Sequence, residues 1–366
     1  MKLNLKIGIT GENSLVLAYR SGDIKKFSKL IDKGFEVNCL NKHGNSLISE
    51  VLSNNGHIKN NKEFFDKLIS SDVSLDLIGN ELPLLILSIT KQTDIHYTYE
   101  LLKKGSDPSE SEFNNHDKNG IRSVHNPPII ECFNICDIKK LKLILDFHPV
   151  IEARDFANRP MLNCLMGSKD QNFIKEALIL LLKNESLIDY RDSFGRAPIH
   201  ACANMGCDID VLKILIENNA DVNACSMHGI TPLMLSSEKG DVSSLLFLIK
   251  NGANLNMQDL INNETAAHCA VKYGKHEILD ALLKSGADFS LCDKTGNNVC
   301  HAIANALNIR PERKNRDYYL DLLKNNKKLL YVKNKQGQTV SDIIKQSSKR
   351  NHFQLLKSID ETSKSM

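Results

Sequence analysis

Residues 192–225 read DSFGRAPIHACANMGCDIDVLKILIENNADVNAC. Two further blocks superpose on them without gaps: SMHGITPLMLSSEKGDVSSLLFLIKNGANLNMQ at 226–258 and DLINNETAAHCAVKYGKHEILDALLKSGADFSLC at 259–292. Pro198, Pro232 and Ala266 stand 34 residues apart, as do Gly206, Gly240 and Gly274, and His200, Met234 and His268. Several separated landmarks in phase mark a structural repeat. Pro fits a first helical turn, where its missing N–H costs nothing, and the Thr before it caps that helix. The glycine in the opening turn supplies a positive φ, and the glycine after the first helix lets the chain reverse. Leu212, Leu215 and Ile216 have helical spacing and point one apolar face at a neighbour. One such unit cannot bury that face alone, so the units must stack.

These blocks resemble the ankyrin repeat, whose pattern runs D-x-x-G-x-T-P-L-H-x-A-A and closes on L-L-x-x-G-A-D-V-N. APIH, TPLM and TAAH fill the first signature, and NADVN, GANLN and GADFS the second. The resemblance implies an all-α solenoid of helix-turn-helix repeats with short β-turn fingers and no extended sheet. Weaker copies begin at Asp293 and Asn334 downstream, and at Asn13, Asn41, Asn126 and Asp155 upstream, with another around Pro83. About nine to ten repeats result, read as one array over 1–360 with a polar tail at 361–366. Two insertions interrupt it. Residues 105–127, rich in turn formers, read as a long loop, and the segment near 305–316 lengthens one repeat.

Composition agrees. Of 366 residues, 42% are hydrophobic and 25% charged, which is ordinary globular usage, and there is no Trp. The sequence has no apolar run long enough to span a bilayer and no hydrophobic leader at its start. Ten cysteines without such a leader read as reduced thiols of a cytoplasmic protein. The net charge of +3 divides unevenly. Residues 301–366 hold 14 Lys+Arg against 6 Asp+Glu, a net +8, which leaves −5 for the rest. Arg310, Arg313, Lys314 and Arg316 form a basic patch at this end. It points to an acidic protein, an anionic surface or nucleic acid as an alternative partner.

The residues offer little catalytic chemistry. Cys132 and Cys136, and Cys202 and Cys207, lack the second ligand pair a zinc site needs. Cys132, Cys164 and Cys202 all take the small position after the first signature, which is buried between repeats. His200, His268 and His301 take the signature His, which in ankyrin repeats bonds between neighbours. In Cys300–His301 and His268–Cys269 the two side chains diverge by a helical step, unlike a catalytic dyad. No phosphate loop, nucleophile elbow or metalloprotease motif is present. The reading is non-enzymatic, with no cofactor, no metal and no small-molecule substrate.

What remains is recognition of a protein partner by a monomer, through the concave face and the finger tips. Finger positions Phe194, Arg196, Met227, His228, Ile230, Leu260 and Ile261 carry an apolar series where idle tips would be polar. Met205 and Tyr273 hold corresponding places on the inner helices. Asn223, in LIENNADVN, matches by resemblance the asparagine that asparaginyl hydroxylases modify. The 37 asparagines, abundant lysine and irregular insertions resemble ankyrin effectors of intracellular bacteria, delivered into a host by type IV secretion. A resident cytosolic adaptor is the plainer alternative.

Overall fold

The computed structural model describes residues 13–346, apart from 42, 44, 55–57, 76–81, 92, 110–111, 117–121, 125, 156, 184 and 310–315. The helices fall into two compact units, Met1–Lys183 and Asn184–Met366.

In the first unit, inner helices α1 (Ser14–Arg20), α3 (Leu47–Ser53), α5 (Leu84–Thr90), α7 (Pro128–Ile135) and α9 (Met161–Leu165) alternate with outer ones. The outer helices are α2 (Ile24–Asp32), α4 (Asn61–Ile69), α6 (Ile95–Lys104), α8 (Ile138–Asp146) and α10 (Gln171–Leu181). From α3 to α9 each inner helix packs on the next, and outer helices likewise pack on outer helices. Outer helices start where an Asp carboxylate caps them: Asp23, Asp94, Asp137 and Asp170 each accept from one or two first-turn N–H groups. Such a cap contributes about 1 kcal/mol. Lys140 of α8 is buried, and its Nζ donates to the Ser88 carbonyl at the end of α5 at 2.9 Å. Burial lowers its pKa from the usual lysine value.

The second unit repeats the scheme. Its inner helices are α11 (Pro198–Met205), α13 (Pro232–Lys239), α15 (Ala266–Lys272), α17 (Val299–Ile309) and α20 (Val340–Lys345). Its outer helices are α12 (Ile209–Glu217), α14 (Val242–Lys250), α16 (His276–Lys284), α18 (Arg316–Asn325) and the short α19 (Lys327–Leu330). Leu212 and Leu215 are buried, as are Leu245, Leu248, Leu279 and Leu282 at matching places, whereas Ile216 is half-buried. Nine helix pairs and one further inner helix are thus described, the all-α ankyrin architecture expected.

Two expectations need correction. The 105–127 segment is not all loop: β1 (Glu112–His116) and β2 (Arg122–Val124) pair antiparallel, with Glu112 opposite Val124 and His116 opposite Arg122. Cys164 does not occupy the buried position of Cys132 and Cys202. Pro160 is the N-cap of α9 rather than its first residue, so Leu165 fills that place, and Cys164 is half-exposed.

The constant step of 34 also conceals two offsets. Between Gly206 and the α12 cap Asp208 stands Cys207, whereas Gly240 is followed at once by the α14 cap Asp241. The finger from Asp259 to Glu264 holds one residue more than Ser226–Ile230, and Asn263 takes a positive φ there. Each adds one residue to a different step, so both steps come to 34.

His200, His268 and His301 explain why that position is histidine. Each Nδ1 faces the backbone N–H of its own helix cap, at Ala197, Thr265 and Asn298. Each Nε2 reaches a finger carbonyl of the next repeat: Ile230 at 3.0 Å, Asn297 at 3.1 Å and Gln338 at 3.2 Å. A ring accepting at one nitrogen and donating at the other is neutral. Burial lowers all three pKa values below the usual 6.5. Below pH 6.5 the unfolded chain therefore takes up protons that the folded chain refuses. Stability of the 184–366 unit is expected to be full above that pH and to decline as pH falls below it. Urea midpoints at pH 7.5 and 5.5 check this, and equal midpoints would contradict it.

Candidate functional site

Each described finger is closed in the same way. The leading side chain accepts from its own backbone two and four or five residues on. Asp192 Oδ1 takes Phe194 and Arg196 N–H, Ser226 Oγ takes His228 and Ile230, and Asp293 Oδ1 takes Thr295 and Asn297. Asp259 takes Ile261, Asn262 and Glu264. A short polar side chain that holds a turn this way makes the tip rigid without a core. Neighbouring tips are then joined by backbone bonds. Met227 N–H donates to Phe194 O at 2.9 Å, Leu260 to His228 O at 2.8 Å, Lys294 to Asn262 O at 2.7 Å and Lys335 to Thr295 O at 3.0 Å.

Gly195 and Gly229 make this ladder possible. Both have positive φ, and a Cβ at Gly195 would lie 2.8 Å from Met227 N, and one at Gly229 2.9 Å from Leu260 Cγ. The ladder sets the apolar tips in a row. Phe194 is 50% exposed, Met227 58%, Leu260 68% and Ile261 45%. His228 and Ile230 are half-buried. Arg196 pairs with the buried Asp192 carboxylate at 2.8 Å, and its guanidinium lies 4.9 Å from the Phe194 ring centroid. The ion pair and cation–π contact together fix the Phe194 ring in an open orientation.

Between these tips and the inner helices lies a pocket of about 130 Å³, lined by Ile230, Met234, Leu235, Glu238, Asp259, Ile261, Asn262, Glu264, Cys269, Lys272 and Tyr273. Three of the sequence-predicted residues, Ile230, Ile261 and Tyr273, meet here. Met205 is 52% exposed but is not part of the lining. The sequence reading missed Leu235 and Glu238 on α13, and Cys269 and Lys272 on α15. Their signal was present: with Tyr273 they fall at i, i+3 and i+4, the spacing of one helix face.

Polar groups frame this apolar floor. Lys272 Nζ pairs with Glu264 at 2.9 Å, and Tyr273 bonds to Glu238. Burial, and then that bond, raises the Tyr273 pKa from the usual 10.0. Burial pushes the Cys269 thiol up to about 12, so it stays protonated at neutral pH and acts as a lining group rather than a nucleophile. Both nitrogens of the adjacent His268 are spent within the scaffold. Among the described residues no group of three or more His, Cys, Asp or Glu is placed to hold a metal ion, and no helix is long and apolar enough to cross a membrane.

Asn223 lies outside the pocket. Its side chain joins two repeats, donating to Gly252 O at 3.0 Å and accepting from Asn254 N–H at 2.7 Å. Asn256 accepts from Asp288 N–H in the same manner. Of the basic patch, Arg310, Arg313 and Lys314 lie outside the described residues, and Arg316 opens α18. The nearby Lys324, Lys328, Lys333 and Lys335 are exposed.

Comparison with known proteins matches this architecture. A family model described as ankyrin repeats, in three copies, matches residues 165–259 and 233–310. Residues 165–310 of the chain thus carry ankyrin repeats. Human ankyrin repeat domain-containing protein 37 is 38% identical over 96 residues, 25% of this chain and 58% of that protein. The putative ankyrin repeat protein L92 of Acanthamoeba polyphaga mimivirus is 28% identical over 279 residues, 74% of this chain and 64% of its own length. The chain thus spans less than two thirds of either relative. Among solved structures, the ankyrin repeat domain of Bcl-3 superposes with a TM-score of 0.52 at 14% identity, covering 63% of this chain and 97% of that one. That likeness concerns the fold.

Proposed function

We propose that the chain binds a protein partner through the finger tips Phe194, Met227, Leu260 and Ile261 and the adjoining pocket at Tyr273. The observation that carries this is the row of exposed apolar tips on three consecutive repeats, held in register by a backbone ladder. Rigid, apolar and contiguous surface of this kind is what partner sites use. A side chain from the partner fills the pocket, and the framing Glu238, Glu264 and Lys272 supply polar contacts at its rim. The surface needs little rearrangement to bind, because every tip is already hydrogen-bonded. Tyr273→Ala is expected to weaken capture of the partner about tenfold, the loss of one buried aromatic anchor. Titration of the isolated complex measures this, and an unchanged affinity would move the site away from the pocket.

Three finer readings belong to this proposal. The exposed lysines of 324–335 favour a second, electrostatic contact with an anionic surface or nucleic acid. Its binding should fall steeply with salt, and a salt-independent affinity would exclude it. Asn223 is the proposed hydroxylation site, and its peptide should gain one oxygen on reaction with an asparaginyl hydroxylase; an unchanged mass rules it out. Action as a secreted effector on a host protein, rather than as a cytoplasmic adaptor, rests on the asparagine-rich composition. Deleting residues 347–366 should then abolish translocation in a reporter assay, and undiminished translocation would refute that role for the tail.

A further inference from the structure

The extra residue between α11 and α12 is a cysteine, and the geometry of the helix end decides what it meets. Several inner helices here close on a six-to-one bond, in which the N–H two or three residues past the last helical residue donates to the carbonyl five back. This bond joins Asp137 to Cys132, Asp241 to Ser236 and Lys275 to Ala270. At the end of α11 it joins Cys207 to Cys202, at 3.2 Å, with the left-handed Gly206 between them. Such a cap brings the two side chains it connects into contact. At the other described ends the pair is Ala/Asp, Cys/Asp, Ser/Asp or Ala/Lys. Only the inserted residue makes it Cys/Cys, and both cysteines are buried, at 2% and 4% exposure.

We propose that Cys202 and Cys207 are a modification site, forming a reversible intramolecular disulfide when the protein meets hydrogen peroxide. The thiols are hydrogen-bonded to one another. With Cys202 as donor, its own pKa rises and that of Cys207 falls from the usual 9.0. The Cys207 thiolate attacks one peroxide oxygen, the O–O bond breaks, and hydroxide leaves and is protonated to water, giving a sulfenic acid. The Cys202 sulfur then attacks the Cys207 sulfur. The S–O bond breaks, and the hydroxyl leaves as water with the Cys202 proton. Peroxide accepts two electrons overall, and a dithiol returns them.

The full chain is treated with hydrogen peroxide at neutral pH, denatured in iodoacetamide and cut with trypsin. No Lys or Arg separates the two cysteines, so both fall in the peptide 197–213. It should lose both alkylation sites and be lighter than the dithiol form by two hydrogens. Dithiothreitol before alkylation should restore double alkylation. Cys207→Ser should leave Cys202 fully alkylated, with an unchanged circular dichroism spectrum. The proposal is overturned if wild-type 197–213 stays doubly alkylated while the exposed Cys225 oxidises, or if Cys202 is lost equally in Cys207→Ser.

Discussion

Leu279→Ala is expected to lower the stability of the 184–366 unit by about 2–5 kcal/mol, measured as a fall in the urea midpoint at constant slope. Leu279 has 0% exposure and lies on α16, which packs on both α14 and α15. Truncation removes apolar surface from the core and leaves a cavity that two flanking repeats cannot collapse into without losing their own contacts. In a stack, each helix pair is held mainly by its neighbours, so one interface failing uncouples those on either side. Leu283 on the same helix is 37% exposed and serves as the comparison. Leu283→Ala should cost less than about 1 kcal/mol. Equal effects would show that the face assigned to the core is wrong.

Gly229→Ala is expected to cost about 2–5 kcal/mol and to weaken partner binding as well. Two causes add. An L side chain at φ +73 costs about 1–2 kcal/mol, and the new Cβ, 2.9 Å from Leu260 Cγ and 3.0 Å from Leu260 N, adds an overpacking cost of about 1–3 kcal/mol. The clash also falls on the bond from Leu260 N–H to His228 O, so the tip row loses its register where Leu260 is most exposed. Gly252 separates the causes. It has φ +90 but no heavy atom within 4 Å of its hypothetical Cβ. Gly252→Ala should therefore show the backbone cost alone and leave binding unchanged. A Gly229→Ala protein with the stability and affinity of Gly252→Ala would contradict the ladder as the support of the site.

Much of this molecule is legible in its sequence, because landmarks such as Asp192, Gly195, His200 and Leu215 each do one local thing. A side chain that closes a turn, a ring that bonds one cap to the next finger, and a leucine that faces a neighbour leave marks at fixed spacing. What spacing hides is insertion. Cys207 and the extra residue in the 259–264 finger each add one to a different step, so both steps read 34, and only the helix caps and finger bonds show where each sits. Cys164 misleads for a related reason: Pro160 stands before the first turn, not in it, so counting from proline shifts the register by one. The pocket was half legible. Phe194, Met227, Leu260 and Ile261 stand out as apolar residues among turn formers. Glu238, Cys269 and Lys272 look like ordinary helix residues until the fingers are placed over them. The paired strands at 112–116 and 122–124 lack a clean polar-apolar alternation, so a stretch dense in turn formers reads as loop.

The central claim is that the tip row binds the partner. The measurement that tests it most directly is quantitative capture by wild type beside the triple variant Phe194→Ala, Met227→Ala, Leu260→Ala, with the affinity of the captured partner then titrated on both. All three side chains are at least half exposed, so the variant should melt as the wild type does, and its fold is checked first. A loss of at least about tenfold in affinity is the predicted result. A partner held equally by both proteins would contradict the claim.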